Sequence, residues 1–349
     1  AQAEELHVRG GRSGETMVSL DGLGLNEPGR ERAMDVPLLA LESAELVSGA
    51  LESPLGGGLA GVLLLRTANP TARPAAEWRW QSDARLGTNY DHVQARVSAP
   101  LHLFGLGAVA AGDGTFDDTS LPMLRTRRRS DFAGVPLGWR AENRMLASLK
   151  LAPVENPQRF SAEVFVSRQV REPYSPSWSL DGWTVIPFNP KMSPIFTPDY
   201  QPGALRYRAA DHLGITDERR VAAQIQSSLV RRSVRGTLSL GWLGARSVTS
   251  LGGGREPLSV MHRPKYGNGN DRDQFLALWG DYPVYRQSAS DVVTLRGDAA
   301  TTTRTGTRWM AGLGVHQDVV GLDQVDWLAF GRFGVDIYGA PPLDSIRTF

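Results

Sequence analysis

The stretch Ala76-Glu77-Trp78-Arg79-Trp80-Gln81-Ser82-Asp83-Ala84-Arg85-Leu86-Gly87 decides the fold. Trp78, Trp80, Ala84 and Leu86 share one side of an extended chain, while Glu77, Arg79, Gln81, Asp83 and Arg85 share the other. Successive side chains of a β-strand point to opposite faces, so the stretch reads as a strand with one apolar and one charged face. The pattern returns in His92–Leu101, where Val93, Ala95, Val97 and Ala99 oppose His92, Gln94, Arg96 and Ser98. Further alternating runs are Arg144–Leu151, Phe160–Ser167, Val221–Leu229, Val234–Trp242, Val293–Ala299 and Trp309–Val315, with a less regular one at Trp327–Ile337. Runs of about ten such residues suit strands that cross a bilayer with one face to lipid and one to a wet lumen.

The connections alternate too. Val154–Pro157 and Arg231–Ser233 are short, whereas Gly114–Arg140, Arg171–Arg219 and Thr249–Ser290 are long. Membrane barrels put short turns on one side and long loops on the other. Trp78, Trp242 and Trp309 at run ends suit an interfacial aromatic girdle. A soluble β-sandwich is the alternative reading of the same alternation, with the apolar face as its core.

Thirty-eight basic and 37 acidic residues leave a net charge of +1, so no global field favours nucleic acid or anionic surfaces. The absence of cysteine excludes a disulfide framework, thiolate metal sites and thiol redox chemistry. The longest apolar stretch, around Leu101–Gly112, falls short of the roughly 20 residues of a spanning helix. Ala1–Glu5 has neither the basic start nor the apolar core of a signal peptide.

Residues 1–67 differ from the rest. Gly-rich turns surround expected strands at Leu6–Arg9, Thr16–Asp21, Ala44–Ser48 and Gly61–Arg66, with a short helix expected near Val36–Ser43. The result is a small α/β unit, joined by a Pro-containing linker, 68–75, to the strand region 76–349. Gly10 and Gly11 permit tight turning, and Asp21-Gly22 is a hairpin turn pair.

Three elements in this unit carry a family resemblance. The stretch His7–Pro28, with Arg9, Gly10, Gly11, Asp21, Gly22, Asn26 and Pro28, resembles the plug signature of TonB-dependent receptors. Leu41–Gly49, with Glu45 and Gly49, resembles a second plug element, and Gly56–Val62, with Gly57, Gly58 and Gly61, resembles the strand that closes the plug. Leu55 stands where the family has an aromatic, and Leu64 where it commonly has Asn. The resemblance implies the C-terminal part of a plug followed by the N-terminal portion of a transmembrane antiparallel β-barrel in a bacterial outer membrane. It further implies a receptor that binds a scarce nutrient, such as a ferric siderophore or cobalamin, and imports it with energy from TonB, without an enzymatic step. Outer-membrane lipid and lipopolysaccharide are the implied surroundings. With about nine or ten strands against about 22 in the family, the chain reads as a partial barrel. A surface structural or adhesion protein on the same architecture is the second reading.

No catalytic constellation accompanies this. The six His are scattered, without a His-x-His or His-Glu-x-x-His pair, so no metal or cofactor is implied. Gly-x-Ser-x-Gly is absent, and no Gly-Lys-Ser/Thr follows Gly56–Gly58. Asp113–Asp118 and Asn268–Asp273 carry oxygen-rich loop chemistry that a hard cation accepts, with solvated turns as the default. Arg125–Arg129 suits a lipopolysaccharide phosphate or plain solvation better than nucleic acid. Tyr174, Trp178, Trp183, Phe188, Phe196 and Tyr200 in one long loop form a surface suited to gripping a ligand or partner, or to folding on itself.

Overall fold

The computed structural model describes residues 15–28, 32–48, 60–82, 90–101, 104–117, 142–171, 184–185, 206–207, 214–231, 234–251, 265–266, 277–279, 284–302 and 307–326. The expectations for Leu6–Arg9 and Trp327–Ile337 lie outside these residues.

The chain begins with a small sheet. β1 (Thr16–Leu20) turns at Asp21-Gly22 into β2 (Leu23–Gly24), one 3-10 turn at Leu38–Ala40 leads to β3 (Leu41–Val47), and β4 (Gly61–Thr67) inserts between β1 and β3. β1 and β4 run parallel, whereas β3 and β4 are antiparallel. Asp21 and Gly22 have φ of 47° and 96°, the left-handed pair that a two-residue hairpin turn requires. The helix expected at Val36–Ser43 is corrected: Pro37 precedes a single 3-10 turn, and Leu41 is already paired with Thr67. Leu-Glu-Ser-Ala-Glu has good helix propensity, but pairing along β4 overrides it.

The wall follows as β5 (Ala75–Ser82), β6 (Asp91–Pro100), β7 (Leu106–Asp117), β8 (Glu142–Pro153) and β9 (Phe160–Arg171). Two-residue strands β10 (Thr184–Val185) and β11 (Arg206–Tyr207) pair before β12 (Gly214–Arg231) and β13 (Val234–Leu251). A second minor pair, β14 (Lys265–Tyr266) and β15 (Ala277–Trp279), precedes β16 (Val284–Thr302) and β17 (Arg308–Asp326). Nine strands form one antiparallel sheet in the order β17-β16-β13-β12-β9-β8-β7-β6-β5, an up-and-down meander whose edges are β5 and β17. Strand length grows along it from 8 residues in β5 to 19 in β17.

Within the described residues the expected strands are present, and several boundaries move, β13 running on to Leu251 and β17 to Asp326. β7 occupies a region read only as an apolar stretch running into a loop; its Ala and Gly residues weaken the alternation on both faces. Gly214–Arg219 and Val284–Ser290, placed in long loops, belong to β12 and β16. Asp113–Asp117 lies in β7 rather than in a cation-accepting loop, with the Asp113 carboxylate accepting from Gln94 Nε2 at 2.7 Å.

The period of two holds in register across the sheet. Leu151, Ala162, Ile225, Leu240, Leu295 and Val315 stand side by side on the outer face. Leu149, Val164, Ala223, Trp242 and Val293 form the next row. Large apolar side chains on this face are open, Ile225 at 53% and Leu313 at 77% exposure. On the inner face the reverse holds: Gln94, Lys150, Glu163, Gln169, Glu218, Arg220 and Gln224 are buried although polar.

What buries them is the N-terminal unit, which lies against the inner face. Leu20, Leu23, Leu25 and Met34 pack with Ala111, Phe165, Ala222, Leu243 and Val292 of the wall in one core. Two inner-wall glycines admit it. A Cβ at Gly241 would lie 2.4 Å from Leu23 Cδ1, and one at Gly107 would lie 2.5 Å from Cβ of Pro70 in the linker. Gly241→Val is expected to push the β1–β2 hairpin off its seat and cost about 1–3 kcal/mol, read as a lowered denaturant midpoint. An unchanged midpoint would disprove the seat.

Candidate functional site

Asp21 does two jobs in this contact. Its backbone makes the turn, its N–H donating to Leu65 O at 2.9 Å, and its carbonyl accepts from Gln224 Nε2 of the wall at 3.0 Å. Its carboxylate accepts from the Thr67 N–H at 3.3 Å and from the Thr67 hydroxyl. That hydroxyl in turn accepts from Lys150 Nζ at 2.6 Å. Lys150 also lies 3.1 Å from Glu163 Oε1 and 3.7 Å from Asp21 Oδ2, so one buried ammonium holds carboxylates of both partners. β8 and β9 place Lys150 opposite Glu163 in register, and the period of two turns both inward.

Nearer the long loops lies a second ionic group. Arg220, buried in β12, approaches Glu27 Oε2 at 3.2 Å and Glu218 Oε2 at 3.1 Å. Arg32 meets the same Glu218 oxygen at 3.3 Å and donates to Gln169 Oε1 at 2.9 Å. Gln169 passes a hydrogen bond to Glu142 at 2.9 Å, and Asp35 lies 3.9 Å from Arg144. Glu27, Arg32 and Asp35 come from the excursion after β2, which Asn26 ties down. The Asn26 side chain accepts from Val18 N at 2.7 Å and donates to Thr16 O at 3.0 Å, while Asn26 bridges to Ala33.

The contact is therefore stratified. Along β12, Glu218 and Arg220 serve the upper ionic group, Ala222 the apolar seat, and Gln224 the lower polar group. The six steps from Glu218 to Gln224 span about 20 Å of strand, so the layers are thin. Buried ion pairs between two bodies add little net stability but fix their relative position, since breaking one leaves an uncompensated charge. On the short-turn side a polar cleft of about 840 Å³ remains between the unit and the wall, lined by residues including Asp21, Arg66, Lys150, Arg235 and Arg296.

Of the sequence-predicted site residues, Asp21 and Gly22 lie at this contact, and Asn26 ties down the excursion that reaches it. Pro28 continues the turn, Gly61 opens β4 beside Thr16, and Glu45 is exposed on β3 opposite Leu64. Arg9, Gly10, Gly11, Gly49, Gly57 and Gly58 lie outside the described residues. So do Arg125–Arg129, Asn268–Asp273 and the six aromatics Tyr174, Trp178, Trp183, Phe188, Phe196 and Tyr200. Lys150, Glu163, Glu218, Arg220, Gln169, Thr67 and Arg32 were not singled out from sequence. Their signal was the charged second face of the strand runs, which marks the inner wall without naming a partner. Among the described residues no cluster of three or more His, Cys, Asp or Glu is arranged to hold a metal ion, and no helix is long and apolar enough to cross a membrane.

Lys150→Met is expected to destabilise the folded chain by about 3–5 kcal/mol, because two carboxylates lose their shared cation. The double variant Lys150→Met/Glu163→Met is expected to recover a substantial part of that loss. Equal denaturant stability of Lys150→Met and wild type would show that the cluster does not hold the unit to the wall.

No family model matches the chain, and no curated protein matches it. Solved structures do. The siderophore receptor PirA from Acinetobacter baumannii is 13% identical, with 90% of this chain and 51% of that chain covered, at a TM-score of 0.38. The ferripyoverdine receptor of the outer membrane of Pseudomonas aeruginosa is 10% identical, covering 89% and 46%, at 0.37. The ferric citrate transporter FecA is 11% identical, covering 89% and 52%, at 0.30. The chain spans about half the length of these receptors.

Proposed function

We propose that this chain is part of a TonB-dependent outer-membrane receptor, with residues 1–67 as plug and 76–349 as wall, importing a scarce nutrient without chemical change to it. The observation that carries the reading is the two-faced sheet: apolar rows outward, buried charges inward, and a small four-stranded unit seated on the charged side. A soluble sandwich would bury its apolar face; here that face is open and the polar face is covered. In a bilayer the arrangement is right, because hydrocarbon replaces water at Ile225 or Leu313 and the plug satisfies the lumen side.

The stratified contact supplies the gate. A plug held by ionic groups above and below an apolar seat is released only when those pairs are broken together. A ligand bound outside biases that step by contacting the seated and released states differently. The cleft beside Asp21 and Lys150 is where water first gains a path along the wall. The ligand class, whether ferric siderophore, cobalamin, glycan or peptide, rests with the long loops. TonB as the energy source comes with the family resemblance.

The test is reconstitution of the full-length protein in lipid vesicles with a TonB-dependent uptake assay. Insertion and uptake that stops without TonB support the reading, and a water-soluble monomer overturns it. Insertion without uptake would favour the structural or adhesion role. Ile225→Arg, at the centre of the outer face, is expected to cost about 2–4 kcal/mol of stability in vesicles. The inner-face Gln226→Arg is expected to cost far less.

A further inference from the structure

Hydrogen-bond donors without acceptors gather in one patch of the inner wall. Among the described residues eight buried side-chain nitrogen or oxygen atoms have no partner, and five of them are Arg220 Nη2, Ser247 Oγ, Arg286 Nε, Ser288 Oγ and Ser290 Oγ. Burying a polar atom unpaired is costly, so five neighbours together mark a place shaped for a group that accepts from all of them.

The strand register explains how they meet. Ser247 of β13 stands directly opposite Ser288 of β16, while Ala245 stands between Arg220 of β12 and Ser290 of β16. Arg286 faces Thr249, so Ser247 lies midway between the two arginines. By the period of two, these residues share the face of Ala222, Leu243 and Val292, which pack on the N-terminal unit. The patch therefore sits inside, on the long-loop side of the apolar seat. Arg220, Ser247 and Ser290 are each 2% exposed.

The neighbouring charges are already engaged. Glu218 stands opposite Ser247, but its Oε2 takes Arg32 at 3.3 Å and Arg220 at 3.1 Å. Arg220 directs Nε to Glu27 as well, which leaves Nη2 over. Arg286 has no carboxylate partner among the described residues. All five atoms donate, and two belong to permanently charged guanidiniums, so their complement is an anion. A carboxylate offers about four acceptor sites on two oxygens. Five donors from three strands match the four oxygens of a tetrahedral oxyanion better, and guanidinium binds such oxygens through charge-assisted bonds. Burial inside the wall limits the occupant to a small ion.

We propose that this patch binds one small tetrahedral oxyanion, of the phosphate or sulfate kind, on Arg220, Arg286 and the hydroxyls of Ser247, Ser288 and Ser290. Because Arg220 also holds Glu27 of the N-terminal unit, the bound anion braces the wall side of that ion pair and favours the seated unit. The site needs only the inner wall and the seated unit, and stands apart from any import.

Equilibrium dialysis of the full-length protein in detergent micelles against radiolabelled inorganic phosphate, in chloride buffer free of other oxyanions, tests it. Wild type is expected to hold one phosphate per chain, displaced by sulfate and not by an equal concentration of acetate. Arg286→Gln is expected to weaken binding by about tenfold or more, the worth of one charge-assisted hydrogen bond, and Arg286→Lys to restore part of it. Ser288→Ala, which leaves every charge in place, is expected to weaken it by roughly fivefold. Arg246→Gln, on the outer face, is expected to bind as wild type does. Phosphate is also expected to raise the thermal midpoint of wild type and to leave that of Arg286→Gln where chloride puts it. No saturable binding by wild type, which is the result if water alone fills the patch, would overturn the site. So would undiminished affinity in both Arg286→Gln and Ser288→Ala, or displacement by acetate as readily as by sulfate. Loss of TonB-dependent uptake with phosphate binding intact would count against the receptor reading alone, which keeps the two failures distinct.

Discussion

A strand offers its side chains to two faces in strict alternation, and nine strands here keep that alternation in phase. Every other feature depends on it. A slip of β13 by one residue along β12 would send Trp242 inward and Leu243 outward, exchanging the two environments of the whole strand at once. The short turns guard against such a slip. The connection between Arg231 and Val234 leaves little slack, so the long β12–β13 ladder starts in its final register. Both faces then agree on that register, since the outer rows are continuous and the inner charges find partners.

The inner face is adapted to one particular occupant. A general wet lumen needs only polarity, whereas this wall carries a band of Phe165, Ala222, Leu243 and Val292 between ionic groups, and the N-terminal unit carries Leu20, Leu23 and Leu25 to match. Glu27 of the unit meets Arg220, and Asp21 meets Lys150. These layers work against one another in a useful way. The apolar layer rewards close approach and the ionic layers punish lateral displacement, so together they fix one seat for the unit.

Much of this was legible in the residues. Trp78-Arg79-Trp80 and its successors declared the strands, and Asp21-Gly22 declared a hairpin that the backbone then adopts. The misses have physical causes. β7, with Gly107-Ala108-Val109-Ala110-Ala111-Gly112, offers small residues to both faces, so its period was faint. The first turns of β12 and β16 hid because Asp217, Arg219 and Asp291 put charges on the outer face, breaking the very alternation used to find strands. Leu41–Ser43 reads as helix by propensity and became strand because β4 was there to pair with it. The ionic contacts could not be read at all: Arg220 and Glu27 are neighbours only because the chain folds back across 193 positions.

The lengthening of the strands has an architectural meaning. Eighteen residues at about 3.4 Å each, tilted by roughly 45°, rise about 40 Å, well beyond an apolar band about 25 Å tall. β12, β13, β16 and β17 are therefore taller than the layer they would cross, and the surplus is hydrogen-bonded sheet rather than loop. One side of the sheet carries a stiff parapet of paired strand. Whatever the long connections do, they do from the top of that parapet. Their roots are held at fixed height and spacing by the ladder.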